Sequence, residues 1–313
     1  MAPESAFSID SLMNTTLVTG SSGIRQQCPC CGTAIAIPEA ATFKCNGCGT
    51  EYAVDDGIPL MLGHSQDEPV SNFFEAVQQS VALGQVSFTP RAPRYMEVQW
   101  RIFASAARKA IHKWIPQNSI ILDVGCGHGE LIRPLTECYR ICGIDSNLGF
   151  LRVAKAHGLR VYQSSATALP FVANQFDVVV CAEVIQHFSD PQPLLVEFAR
   201  VCRPGGALII STLNKHSLLR KLFHLLSQRT RLGSFDLPII RRAAQEVCDQ
   251  AHRCGWLLRD CCWVLSPTPF TIYGTPPAPI RERLATNYLL YFIKQQLTGG
   301  AEAEDHSAPA KTA

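Results

Sequence analysis

The chain carries little net charge, few charged residues and no long apolar run. Lys and Arg outnumber Asp and Glu by 28 to 26, a formal net charge of +2. The protein is therefore no polycation, and any nucleic-acid role would need a local basic patch. No apolar stretch reaches bilayer-spanning length. Residues 1–23 lack a basic start and a continuous apolar core, which predicts no signal peptide. Charged residues make up 17% of the 313 positions against 47% hydrophobic. That balance belongs to a folded protein with one sizeable core and room for a small satellite domain. Fourteen cysteines without an export signal read as thiols and metal ligands rather than disulfides. The expected location is cytoplasmic.

What is present is organised around Ile120-Ile121-Leu122-Asp123-Val124-Gly125-Cys126-Gly127-His128-Gly129-Glu130. An apolar, β-branched run stops at a carboxylate, and three alternate glycines follow. The pattern predicts a buried parallel strand, a tight turn and the start of a helix. Backbone without Cβ lets a ligand lie against it and tolerates positive φ. The Gly-x-Gly-x-Gly spacing and the acid at Asp123 point away from a dinucleotide pyrophosphate and toward an adenosyl amino acid. A second strand over 140–145 ends in Asp145, placed to accept hydrogen bonds from ribose hydroxyls. Further strands are expected at 159–164, 176–181, 207–213, 256–265 and 285–293. Helices are expected at 130–139, kinked by Pro134, and at 148–157, 191–202 and 237–254. The alternation predicts an α/β fold, a Rossmann-like doubly wound seven-stranded sheet, mostly parallel. Asp123, Gly125, Asp145 and Cys181 fall at the carboxyl ends of strands, where such sheets bind ligands.

Upstream, Cys28-Pro29-Cys30-Cys31-Gly32 is followed after thirteen residues by Cys45-Asn46-Gly47-Cys48-Gly49. Two Cys-x-x-Cys-Gly knuckles offer Cys28, Cys31, Cys45 and Cys48 as thiolates for tetrahedral Zn²⁺. A redox pair would need only one such motif, and Cys30 is a rival ligand that would break the symmetry. The expected organisation is a flexible leader at 1–24, a zinc ribbon at 25–63, a helical connector at 64–116, the main domain at 117–298 and a disordered tail at 299–313. The connector is either a helical packing element or one wall of the ligand cleft. Between residues 215 and 242 seven Lys/Arg face one Asp, in an amphipathic segment inserted within 215–254. Such a segment suits an amphiphile at a membrane surface, suits RNA phosphates, or is simply a solvated helix.

Two resemblances follow from these motifs. The stretch CPCCG … FKCNGCGTEYAVDDGIPLML resembles the zinc ribbon of the small activator proteins that partner tRNA methyltransferases, which implies a structural and interaction module that docks a protein partner. The run ILDVGCGHGE … GIDSN … SSATALPFVANQFDVVVCAEVIQHFSDP … EFARVCRPGGALIISTLN resembles class I S-adenosylmethionine-dependent methyltransferases, on the side of the ubiquinone and menaquinone enzymes. That resemblance assigns Gly125, Cys126, Gly127 and Gly129 to the methionine part of the cofactor and Asp123 to the loop and the amino group. Asp145 and Ser146 would hold the ribose. Leu169-Pro170-Phe171 would flank the adenine, with Ser165 and Ala166 standing where many relatives carry an acid. Cys181 and Glu183 would border the methyl-transfer site. His187 is the foremost candidate base and Glu183 the second; His187 could instead pin the start of the following helix. The implied activity is methyl transfer from S-adenosyl-L-methionine to a small or lipid-like, quinone-like acceptor. An rRNA or tRNA base methyltransferase and a non-catalytic scaffold that keeps the cofactor and docks through its ribbon are the competing readings.

Overall fold

The computed structural model describes residues 23–62, 94–219, 221–222, 239–266, 271–274 and 283–295. The leader up to residue 22, the connector before residue 94, most of the 215–238 insertion and the tail lie outside the described residues. Two-residue strands β1 (Gln26–Gln27) and β2 (Ala34–Ile35) pair antiparallel. They are followed by β3 (Thr42–Lys44), β4 (Glu51–Asp55) and β5 (Ile58–Met61). Asp56 and Gly57 join β4 to β5, and both have positive φ, 46° and 70°. Asp-Gly is the dipeptide that such a two-residue hairpin turn demands.

Helix α1 (Arg94–Trp114) leads into β6 (Ile120–Val124), then β7 (Arg140–Asp145), α2 (Leu148–Ala156) and β8 (Arg160–Ser164). Next come β9 (Phe176–Ala182), α3 (Gln192–Val201), β10 (Cys202–Leu213) and α4 (Ala244–Arg253). Strands β11 (Trp256–Val264), β12 (Thr271–Tyr273) and β13 (Asn287–Lys294) complete the order. One sheet runs β12-β11-β13-β10-β9-β6-β7-β8-β5-β4-β3. Its centre is the expected seven-stranded Rossmann-like sheet, from β8 to β11, in which only β13 runs against its neighbours. The chain order reverses between β6 and β9, which opens a crevice at the carboxyl ends there.

The sheet is longer than expected because strands of the cysteine segment continue it. Strand β5 adds to the edge of β8 in parallel, with Leu60 opposite Gln163 and Met61 opposite Ser164. An edge strand presents unpaired N–H and C=O groups, and the ribbon covers them. Residues 24–27 approach from the other side. Gln27 N donates to Pro170 O at 3.1 Å, and Val172 N donates to Arg25 O at 3.2 Å. Arg152 on α2 clamps Asp55 through Nε and Nη2.

Two apolar clusters fill the two faces of the sheet. Leu194, Leu195, Phe198, Val247, Ala251 and Trp256 bring α3, α4 and β11 to one of them. Phe103, Ala107, Ile111, Leu151 and Ala154 bring α1 and α2 to the other. The helix expected over 130–139 is only a 3₁₀ turn at Arg133–Leu135. Pro134 supplies no N–H for a helical bond, and the segment closes through short bonds such as Leu135 N to Ile132 O. Strand β10 starts at Cys202 rather than 207, with a register break before Ala207 that absorbs Pro204-Gly205-Gly206. Helix α4 starts at Ala244, seven residues later than the amphipathic pattern suggested. Residues 239–243 approach it as non-helical chain.

Candidate functional site

The glycine turn after β6 has φ of 74° at Gly125, 54° at Gly127 and 83° at Gly129. The three glycines do different jobs. A Cβ on Gly125 would meet Val184 Cγ2 at 2.2 Å, and one on Gly129 would meet Leu159 Cδ1 at 2.1 Å. A Cβ on Gly127 would meet nothing within 4 Å. The first and third therefore make room for protein, and Gly127 alone turns bare backbone to open space. The turn is held from beneath by Ile144 O, which accepts from Gly125 N and Cys126 N at 2.8 and 2.9 Å. Cys126 is buried, its sulfur lying where a Cβ on Gly143 would fall.

Asp145 Oδ2 accepts from Gly127 N at 2.9 Å, and its Oδ1 accepts from Asn147 N at 2.9 Å. One carboxylate thus joins the glycine turn to the start of α2, where Asn147 Oδ1 caps Phe150 N. Ser146 lies between them, its carbonyl accepting from Gln163 Nε2. Asp123 is buried at the end of β6. Burial, and then the charge of Asp145, raise its pKa to about 8. Burial also raises Asp145, against the N–H bonds from Asn147, Gly127 and Ser146. Two desolvated acids beside an open glycine backbone make a pocket that a cation would relieve.

The segment expected at the adenine follows β8. Ser165 is buried, and its Oγ accepts from Thr167 N at 3.2 Å and lies 2.8 Å from Thr167 Oγ1. It shapes the turn itself, with half-buried Ala166 packed on the core. Glu197 and Arg200 on α3, which the sequence reading missed, hold this loop. Leu169 N donates to Glu197 Oε2, and Arg200 donates to Leu169 O and Phe171 O. Their spacing of three on a helix was a signal for an ion pair but not for its loop partner.

At the end of β9 the chain turns through Glu183, whose φ is 59°. For a residue with a Cβ this is the strained left-handed region, which clusters at functional sites. Its Oε1 accepts from Ser211 Oγ at 3.1 Å and Asn287 Nδ2 at 3.0 Å, joining the ends of β9, β10 and β13. Cys181, two residues before, is fully enclosed in the core, and burial pushes its thiol well up. His187 closes a 3₁₀ turn over Ile185–His187, and burial lowers its imidazole below 6.5. The start of α3 is served by Asp190, whose Oδ1 accepts from Gln192 N at 2.9 Å. From α1, Trp100 Nε1 donates to Glu130 Oε2 at 2.7 Å, so this helix does border the glycine turn.

In the ribbon, the four sulfurs of Cys28, Cys31, Cys45 and Cys48 lie within 4.8 Å of one another. Cys28 and Cys48 are 3.7 Å apart, and Cys31 and Cys45 are 3.6 Å apart. Zn–S bonds of about 2.3 Å in a tetrahedron set sulfurs roughly 3.8 Å apart. The donor set therefore fits a four-coordinate metal ion. Gly47 N points at Cys45 Sγ at 3.3 Å. The Thr50 hydroxyl and N–H hold the Cys48 thiol down at about 6. Cys30 is exposed and stands outside the four, accepting from the Tyr52 hydroxyl.

Residues 122–210 match the family model described as a methyltransferase domain. The ubiquinone biosynthesis O-methyltransferase of Erwinia tasmaniensis is 34% identical over 118 residues, 33% of this chain and 49% of that protein. The enzyme of the same description from Escherichia coli is 36% identical over 104 residues, 31% of this chain and 43% of its own length. The chain thus spans about half the length of the curated relatives it matches. An S-adenosylmethionine-dependent methyltransferase from Thermotoga maritima superposes over 71% of this chain and all of its own, with a TM-score of 0.55 and 17% identity. A chain from the complex of the Haloferax volcanii Trm112 methyltransferase activator superposes over 70% of this chain and 98% of its own, with a TM-score of 0.52 and 18% identity. At those identities the likeness is one of fold.

Proposed function

We propose that this chain, whose residues 122–210 match a methyltransferase domain, is a class I S-adenosylmethionine-dependent methyltransferase that methylates a small, quinone-like or otherwise amphiphilic acceptor. The observation that carries the cofactor reading is the bare backbone of Gly127 beside buried Asp123 and Asp145. Gly125, Cys126, Gly127 and Gly129 would cradle the methionine end, Asp123 its ammonium, Asp145 with Ser146 the ribose, and Ser165 and Ala166 the adenine. When bound, S-adenosyl-L-methionine supplies a sulfonium methyl that is already activated, so the protein's task is alignment and exclusion of water. His187, whose imidazole burial shifts toward the neutral form, would take a proton from an acceptor hydroxyl. Glu183, held by Ser211 and Asn287, is the second candidate for that proton.

The acceptor class is supported by the ubiquinone O-methylation described for the relatives and by the state of the basic segment. Lys215 is paired with Glu246 at 2.7 Å, and Arg242 is buried, so two of its cations are already engaged. Leu218 and Leu222 are half exposed, one helical turn apart, and suit an apolar acceptor or a peripheral membrane contact better than RNA phosphates. Among the described residues no helix is long and apolar enough to cross a membrane. All fourteen cysteines are free, as fits a cytoplasmic setting. The four ribbon thiols would hold Zn²⁺ in a closed structural site, leaving the outer face of the ribbon for a protein partner.

The test supplies methyl-labelled S-adenosylmethionine with a catechol or hydroquinone in lipid vesicles, and separately with transcribed rRNA. Label on the phenolic oxygen is expected. Label on RNA would favour the base-methyltransferase reading, and cofactor binding without any transfer would favour the scaffold.

A further inference from the structure

Arg242 stands where the chain returns to the sheet ahead of α4. It is 4% exposed, and its guanidinium is spent on one loop. Nη1 donates to Ile185 O at 2.9 Å, and Nη2 donates to Phe188 O and, at 3.1 Å, to Ser189 O. These carbonyls flank His187 on both sides. The main chain of Arg242 is fixed in turn, because its carbonyl accepts from Lys215 N at 3.2 Å and from the Tyr288 hydroxyl at 3.1 Å. Residues 214 and 242 also form a parallel bridge. Two residues earlier, Ile240 N donates to Gln186 O at 2.8 Å. The side chain of Gln186 points the other way and ties the loop to β10, its Oε1 accepting from Thr212 Oγ1 at 3.0 Å.

A buried guanidinium is costly unless its N–H groups are placed, and here backbone carbonyls of a single loop place them. A packing role alone would be met by any long side chain. Carbonyls at three positions converging on one rigid planar cation fix the curvature of the backbone between them. The residue inside that curve is the candidate base.

We propose that Arg242 is a positioning residue, which joins the chain at 240–242 to loop 185–189 and so sets the direction in which His187 presents its ring to the acceptor. The proposal rests on the reading of His187 given above. It also removes Arg242 from any phosphate- or headgroup-binding role, despite its place in a basic run.

The test compares wild type, Arg242→Lys and Arg242→Met by proton NMR of the His187 ring and by calorimetry with S-adenosylhomocysteine. Both variants should bind S-adenosylhomocysteine within about twofold of wild type, since the guanidinium of Arg242 bonds to Ile185, Phe188 and Ser189 rather than to the glycine turn. The His187 resonance should shift and its titration should move up toward 6.5 in Arg242→Met, with partial rescue in Arg242→Lys. Lost stability alone would lower the melting temperature without moving the ring titration of the folded molecules. A folded Arg242→Met with an unchanged His187 titration overturns the proposal. If neither variant folds, amide exchange in the wild type decides. Ile240, His187 and Phe188 should open as one unit, and separate opening energies would refute the coupling. Wild type that fails to bind S-adenosylhomocysteine would sink the cofactor assignment instead, with the His187 comparison still readable.

Discussion

Replacing Gly127 by alanine separates binding from folding more cleanly than any other change in the glycine turn. Its φ of 54° would cost an L-residue about 1–2 kcal/mol. Its Cβ would meet nothing within 4 Å, so no packing penalty is added. For a domain of this size, the melting temperature should fall by roughly 2–8 °C. The new methyl would occupy the space assigned to the methionine end of the cofactor, and S-adenosylhomocysteine affinity should fall at least about tenfold. Gly129→Ala is the control. Its Cβ would sit 2.1 Å from Leu159 Cδ1 in a packed core, at a φ of 83°. Overpacking of this kind adds about 1–3 kcal/mol to the backbone strain, so stability should suffer first. Differential scanning fluorimetry and calorimetry on both variants read the two effects. Wild-type affinity in a folded Gly127→Ala would refute the claim that this bare backbone faces the cofactor.

Elemental analysis should find one equivalent of zinc, and Cys45→Ser should lose it, lower the melting temperature and weaken S-adenosylhomocysteine binding by up to about tenfold. The last effect follows because residues 25–27 and β5 border the segment running from Ser164 to Val172 on both sides; a folded, metal-free wild type would contradict it. Asp123 has its folded-state pKa raised to about 8 from 3.8, so its contribution to stability is present in acid and lost as pH rises through that window. Asp123→Asn should therefore stabilise the ligand-free protein at pH 7, by at most roughly 4 kcal/mol, with no gain near pH 4, while cofactor affinity falls. Once an acceptor is in hand, the rate should fall in acid with its midpoint below the ordinary imidazole value of 6.5, because burial lowers His187; a midpoint above that value would exclude it as the base.

The central sheet was legible because buried parallel strands such as β6 and β9 write themselves as apolar β-branched runs that stop at polar or glycine residues. The cysteine spacing was legible for the same kind of reason, since a chelating geometry needs both knuckles. Less local features were not. That β5 would extend the sheet depends on backbone pairing between Leu60 and Gln163, a hundred residues apart, which leaves no residue pattern. Pro134 was expected to kink a helix and instead prevents one. Among the candidate site residues, Asp145 holds Gly127 N, a bond to the glycine turn that the sequence pattern had given to Asp123 instead, whereas Cys181 is enclosed in the core and Ser165 is engaged with Thr167. Arg242 belonged to a basic run and Arg200 to no site motif, and only the fold shows that both are aimed at loop carbonyls.

Calorimetry of S-adenosylhomocysteine with wild type and Asp145→Ala tests the account most directly. Asp145 is assigned to the ribose and also holds Gly127 N, so its loss removes charge-assisted hydrogen bonds worth about 1.5–3 kcal/mol each. Wild type should bind one equivalent, and Asp145→Ala should bind at least about a hundredfold more weakly. Equal binding by the two proteins would contradict the assignment of this pocket to the methyl donor.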